Sequence, residues 1–125
     1  MLVGTGIDVV EIERIAASIE RYGMRFLSRV FTAGEIAYCQ RKKNSAESFA
    51  ARFAAKEAGA KALGTGIQRG ITWTEIEVRR ARGERPTLHF SGRALEMAER
   101  LGVRRVSLSI THGKTTALAT VHLED

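Results

Sequence analysis

The sequence contains one cysteine, Cys39, one proline, Pro86, and few aromatic side chains, 6% of its 125 residues. A lone cysteine excludes an internal disulfide framework and, with no second thiol, a cysteine metal cluster. No activating base stands near Cys39 in the sequence, so it reads as a partly buried small hydrophobe and not as a nucleophile. The three histidines, His89, His112 and His122, are not at zinc-ligand spacing. No apolar run approaches the length of a membrane span, and the N-terminus lacks a basic region followed by an apolar stretch and a cleavage site. A cytoplasmic protein with no membrane partner is therefore expected. Without repeats, low-complexity runs or a composition break, residues 1–125 read as one domain.

The charge is unbalanced. Twenty Lys plus Arg face fourteen Asp plus Glu, a net of +6, which predicts an anionic partner. Nucleic acid, a polyphosphate ligand and an acidic protein all qualify. The scarcity of aromatics, with no stacking platform or recognition-helix pattern, argues against nucleic acid. A small basic nucleic-acid-binding domain stays as the alternative reading, and a Mg²⁺-dependent nucleotide hydrolase as another.

The most informative stretch runs from Glu47 to Gly64. It is rich in Ala and long unbranched side chains, the residues that lose least on entering a helix, and Gly64 suits a left-handed C-terminal residue. Asn44 or Ser45 can cap its start. At about 100° per residue, Phe49, Phe53, Ala60 and Leu63 share a core face that also takes in Lys56, while Glu57 and Lys61 lie together on one flank and Arg52 marks the other. An exposed Glu57–Lys61 pair would be ordinary. Here the background is Ala and Gly, so a helix buried nearly all round is expected, and its charges need partners.

Along the rest of the chain, Leu2 to Val10 alternates as a strand, with Val3, Thr5, Ile7 and Val9 on one face and Gly4, Gly6 and Asp8 on the other. The missing side chains leave room for something bulky beside Asp8, which either caps the next helix or acts as a ligand. Ile12, Ile15 and Ile19 give the following helix a core face. Arg14, Ser18, Arg21 and Arg25 form a basic stripe on the opposite side, provided the helix continues through Gly23. Thr32 and Glu35 have capping-box spacing. The basic loop Arg41-Lys42-Lys43 points cations at the start of the central helix, where phosphates bind. Ile71 to Val78 alternates as a strand, Arg79 to Arg85 is a basic turn, and Thr87 to Phe90 is the hairpin partner. Ser91 can cap a helix to Leu101 stopped by Gly102, and two strands, Val103–Thr111 and Thr116–Leu123, close the chain. The sum is an α+β domain, an antiparallel hairpin sheet with helices packed on it.

Asp8 and Glu57, carboxylates from separate elements, are the donor type Mg²⁺ uses together with water and phosphate, and nearby cations would neutralise phosphate oxygens. These residues sit within Gly6-Ile7-Asp8-Val9-Val10-Glu11-Ile12, Arg29-Val30-Phe31-Thr32 with Glu35 and Tyr38, Arg52-Phe53-Ala54-Ala55-Lys56-Glu57-Ala58, Gly64-Thr65-Gly66-Ile67 and Leu108-Ser109-Ile110-Thr111-His112. In that order and at that spacing the chain resembles the holo-acyl-carrier-protein synthase group of 4'-phosphopantetheinyl transferases. The resemblance implies Mg²⁺-dependent transfer of 4'-phosphopantetheine from coenzyme A to a serine of apo acyl carrier protein, releasing adenosine 3',5'-bisphosphate, in fatty acid or polyketide biosynthesis. It implies Asp8 and Glu57 as metal ligands and Lys61 beside the diphosphate, the three forming the catalytic set. Arg52 and His112 would lie near the 3'-phosphate, with Gly64 and Gly66 also binding the cofactor. Arg14, Arg21 and Arg25 would dock the acidic carrier, and the assembly would be a homotrimer with sites between subunits. The base for the serine proton is left open between Glu57 and a metal-bound water.

Overall fold

A computed structural model describes residues 1–125. Five helices and five strands follow in the order β1 (Leu2–Glu11), α1 (Ile12–Tyr22), α2 (Met24–Val30), α3 (Ala33–Gln40), α4 (Ser45–Ala62), β2 (Ile76–Arg79), β3 (Thr87–Phe90), α5 (Gly92–Arg100), β4 (Arg105–His112) and β5 (Thr116–Glu124). The strands make two antiparallel sheets, a three-stranded one in the order β1-β5-β4 and the β2-β3 hairpin. The α+β class expected from the sequence holds, with two sheets in place of one.

α4 is the centre of the molecule, with eleven of its eighteen residues buried. It packs on β1, β4 and β5 along one side and on α1, α3 and β2 along the others, which is why its background is Ala rather than Glu and Lys. The register gives the three-stranded sheet an inner face on which Asp8, Ala119 and Ile110 form one row and Val10, Ala117 and His112 the next. Ile7 and Val9 lie on the outer face, more than half exposed.

The glycines of β1 do not make room for a ligand, as the sequence suggested. They make room for α4. A Cβ on Gly4 would fall on the carbonyl oxygen of Ala62; one on Gly6 would fall on that of Ala58 and lie 2.8 Å from the Ala62 nitrogen. Backbone cannot yield as a flexible side chain does, so Gly6→Ala should lower stability by about 1–3 kcal/mol or more. The check is the thermal midpoint of the purified variant, and an unchanged midpoint would show that α4 can retreat without cost.

Four local expectations are corrected. The alternation from Ile71 is not all strand: Thr72 and Glu75 form a capping box around a 3-10 turn, Trp73–Glu75, and β2 begins only at Ile76. The first helix does not continue through Gly23, whose φ of 55° ends it, so Arg25 belongs to α2. Asn44 occupies the N-cap position of α4, and Ser91 that of α5, without a side-chain cap bond; at α5 the Glu75 carboxylate accepts the Arg93 N–H instead. Cys39 is fully buried, and burial pushes its thiol up to about 11, which leaves it inert. Other expectations hold, including the Thr32–Glu35 capping box and the left-handed Gly64 (φ 85°) and Gly102 (φ 76°).

Candidate functional site

β1 and the C-terminal half of α4 bring Asp8, Glu57 and Lys61 together. Asp8 faces inward because β1 alternates, and the close approach permitted by Gly4 and Gly6 sets it against the helix. It does not cap α1, whose N-cap position is held by Glu11 without a side-chain bond. Lys61 Nζ lies 3.1 Å from Asp8 Oδ1 and donates also to the Ile7 carbonyl at 3.1 Å. Asp8 is 16% exposed and Lys61 50%. Burial, and then the Asp8 charge, raise the pKa of Glu57 above the ordinary carboxylate range, while Lys61 and Arg14 oppose them. Two carboxylates that repel one another inside a half-buried site fit a divalent cation with hard oxygen preferences. Arg14, exposed on α1, is close enough to act on Glu57.

On the opposite flank of α4 a different site opens. Arg52 stands nine residues before Lys61, half a turn round at about 100° per residue. His112 shares the sheet's inner face with Asp8, but β4 and β1 are opposite edges and β5 lies between them. Arg52 and His112 line a cleft of about 480 Å³ with Tyr38, Lys42, Ser48, Arg80 and Arg85 among others. No carboxylate lines this cleft; Glu47, 3.9 Å from His112 Nδ1, is the acidic group beside it. Arg52 is 6% exposed and its Nε has no hydrogen-bond partner. Its guanidinium rests 4.0 Å from the centre of the Tyr38 ring. Such a cluster of cations around an unpartnered buried guanidinium is built for an anion.

Gly64 and Gly66 form the turn leaving α4, both with positive φ. Arg14, Arg21 and Arg25 are exposed. The break at Gly23 divides their stripe between two helices, yet Arg21 and Arg25 converge on Tyr22, at 5.3 and 5.6 Å from its ring centre. Sequence reasoning did not assign Tyr38, Lys42, Arg80 or Arg85 to the Arg52 site. The signal was present as two separate basic segments, Arg41–Lys43 and Arg79–Arg85, whose meeting requires the packing of α3 against β2.

Comparison with known proteins identifies the family. The family model described as the 4'-phosphopantetheinyl transferase superfamily matches residues 4–120. The chain is similar to the holo-acyl-carrier-protein synthase of Koribacter versatilis, 56% identical over 125 residues and the full length of both chains. Among solved structures, it resembles the crystal structure of the Neisseria meningitidis synthase, with a TM-score of 0.89, 35% identity and 100% of both chains covered. It also resembles the Helicobacter pylori synthase in complex with coenzyme A, with a TM-score of 0.84, 32% identity and 96% and 99% covered. A family match across this length, carried by a fold that superposes from end to end, places the chain in the 4'-phosphopantetheinyl transferase superfamily, among the holo-acyl-carrier-protein synthases.

Proposed function

We propose that this protein transfers 4'-phosphopantetheine from coenzyme A to a serine hydroxyl of an apo acyl carrier protein and releases adenosine 3',5'-bisphosphate, in the cytoplasm, for fatty acid or polyketide biosynthesis. The observation that carries the reading within the family is the meeting of β1 and α4, which sets Lys61 Nζ 3.1 Å from Asp8 Oδ1 beside Glu57, whose pKa burial and then Asp8 raise. Asp8 and Glu57 would hold Mg²⁺, which when bound supplies positive charge to the diphosphate of the cofactor. Lys61, half exposed beside Asp8, would meet the developing charge on the leaving phosphate with its Nζ donors. Arg52 and His112 would hold the 3'-phosphate, with Gly64 and Gly66 letting backbone approach the cofactor. The net charge of +6 is then explained by cofactor and acidic carrier, without nucleic acid.

The two halves of this site face away from one another across α4. A homotrimer in which the acidic half of one subunit meets the basic half of the next would complete it. The uncovered outer face of the three-stranded sheet, with Ile7 and Val9 exposed at 57% and 59%, supports an assembly of copies through that face.

The test is direct. Incubated with coenzyme A, Mg²⁺ and an apo acyl carrier protein, the enzyme should raise the carrier's mass by one phosphopantetheine, and a carrier mass that never changes would sink the reading. Docking has its own check. Reversing Arg21 to Glu should raise the KM for the carrier by about tenfold with kcat retained, because it alters a rim charge distant from the reacting atoms. Arg14→Glu should damage both constants, since Arg14 also acts on Glu57. Equal effects of the two reversals would remove that distinction.

A further inference from the structure

We propose that Tyr38 is a positioning residue for recognition of the cofactor's 3'-phosphate, its ring ordering the Arg52 guanidinium and the Lys42 ammonium into one anion-binding pair; the inference rests on the coenzyme A reading above. Arg52 makes no ion pair with any carboxylate of the chain, although it is 6% exposed and a buried charge without a partner is costly. What meets it is the π-face of Tyr38, 4.0 Å from the guanidinium carbon. Lys42 Nζ lies 4.7 Å from the centre of the same ring. Two cations gathered on one ring repel each other, and the ring quadrupole offsets only part of that repulsion. A doubly charged phosphate monoester offsets the rest.

The hydroxyl lies in the same field. Burial pushes the Tyr38 phenol up, but Arg52 and Lys42 more than reverse this and leave it below the ordinary value. Coenzyme A carries two phosphate features, a diphosphate and a 3'-monoester. The acidic half-site with Lys61 takes the first, so the monoester is what the Tyr38 cluster selects. Tyr38 thus determines whether the enzyme distinguishes coenzyme A from its 3'-dephospho form.

The experiment compares wild type, Tyr38→Leu, Tyr38→Phe and Lys42→Ala, with folding checked by circular dichroism. Transfer is measured with coenzyme A and with 3'-dephospho-coenzyme A, and binding of adenosine 3',5'-bisphosphate and of adenosine 5'-monophosphate is measured by calorimetry. Tyr38→Leu should raise the KM for coenzyme A by about tenfold, the loss falling on KM rather than kcat, and should leave the KM for the dephospho form near wild type. Its preference for the bisphosphate should shrink by the same factor. Tyr38→Phe, which keeps the ring, should keep the discrimination. Equal KM increases for both cofactors would show a merely structural role and overturn the proposal, as would a Tyr38→Phe variant that loses as much as Tyr38→Leu. Lys42 is exposed, so Lys42→Ala tests the pair even if Tyr38→Leu does not fold, and unchanged selectivity in it would also overturn the proposal. If wild type transfers nothing from coenzyme A yet prefers the bisphosphate to the monophosphate, the transferase reading fails while the anion site stands.

Discussion

Replacing Glu57 with alanine is expected to abolish transfer, by a thousandfold or more, while the protein stays folded, and Asp8→Ala should do the same. The magnitude follows from what the pair is built to do. Charge stabilisation in a partly desolvated site contributes about 3–4 kcal/mol per donor, and losing one of two protein ligands removes the ion that delivers it. Stability should survive because Glu57 is held at a cost: burial and the neighbouring Asp8 raise its pKa, so alanine removes an unfavourable charge. The sign of the pH dependence follows. Stability contributed by the neutral Glu57 carboxyl is present below the ordinary carboxylate pKa and is lost as pH rises through the raised value. A proton and Mg²⁺ therefore compete for Glu57, and Mg²⁺ affinity measured by calorimetry should begin to fall, on acidification, at a higher pH than an ordinary carboxylate would give. Wild-type turnover in either alanine variant would remove that residue from the metal site.

The second large effect concerns stability. Lys56 and Glu35 are each fully buried, with Lys56 Nζ 2.6 Å from Glu35 Oε1. Oε1 also accepts the Thr32 N–H at 2.9 Å, and Oε2 accepts the Val78 N–H at 2.8 Å. One carboxylate thus ties α3, α4 and β2 together. Burial pushes the Lys56 pKa down and Glu35 opposes it. Lys56→Met leaves Glu35 charged and unpaired in the core, which should cost about 3–5 kcal/mol. The pair itself need not stabilise the fold by that amount, because two ions were desolvated to make it. Adding Glu35→Gln to Lys56→Met should therefore restore part of the loss, since the amide carries no charge and its oxygen still accepts one of the two backbone N–H groups. Urea denaturation midpoints of the single and double variants decide the matter; a double variant less stable than Lys56→Met alone would refute the account.

Much of the local structure was legible because it depends on short-range geometry. The Thr32–Glu35 spacing located the start of α3, and the alternation of β1 placed Asp8 opposite Ile7 and Val9. The same kind of signal was also overlooked: Thr72 and Glu75 are spaced as a capping box, and their local hydrogen bonds override the alternation that made Ile71 to Glu75 look like strand. Lys56 was visible as a charge on the core face of α4, but its partner stands twenty-one residues away on another helix. Nothing periodic connects the two.

By itself, then, the sequence determined which residues share a face within each element, and through its motifs the family to which the chain belongs. Helix and strand periods determine those faces, and a helix 18 residues long with small residues all round can only be a central one. Only the tertiary structure decided that the glycines of β1 admit α4 rather than a ligand, that Asp8 and Arg52 stand on opposite flanks of that helix, and that Tyr38, Lys42, Arg80 and Arg85 gather around Arg52. The physical reason is that periodicity constrains neighbours along one element, whereas which elements meet is settled by burying their apolar faces together, and the charged groups are carried to wherever that packing leaves them.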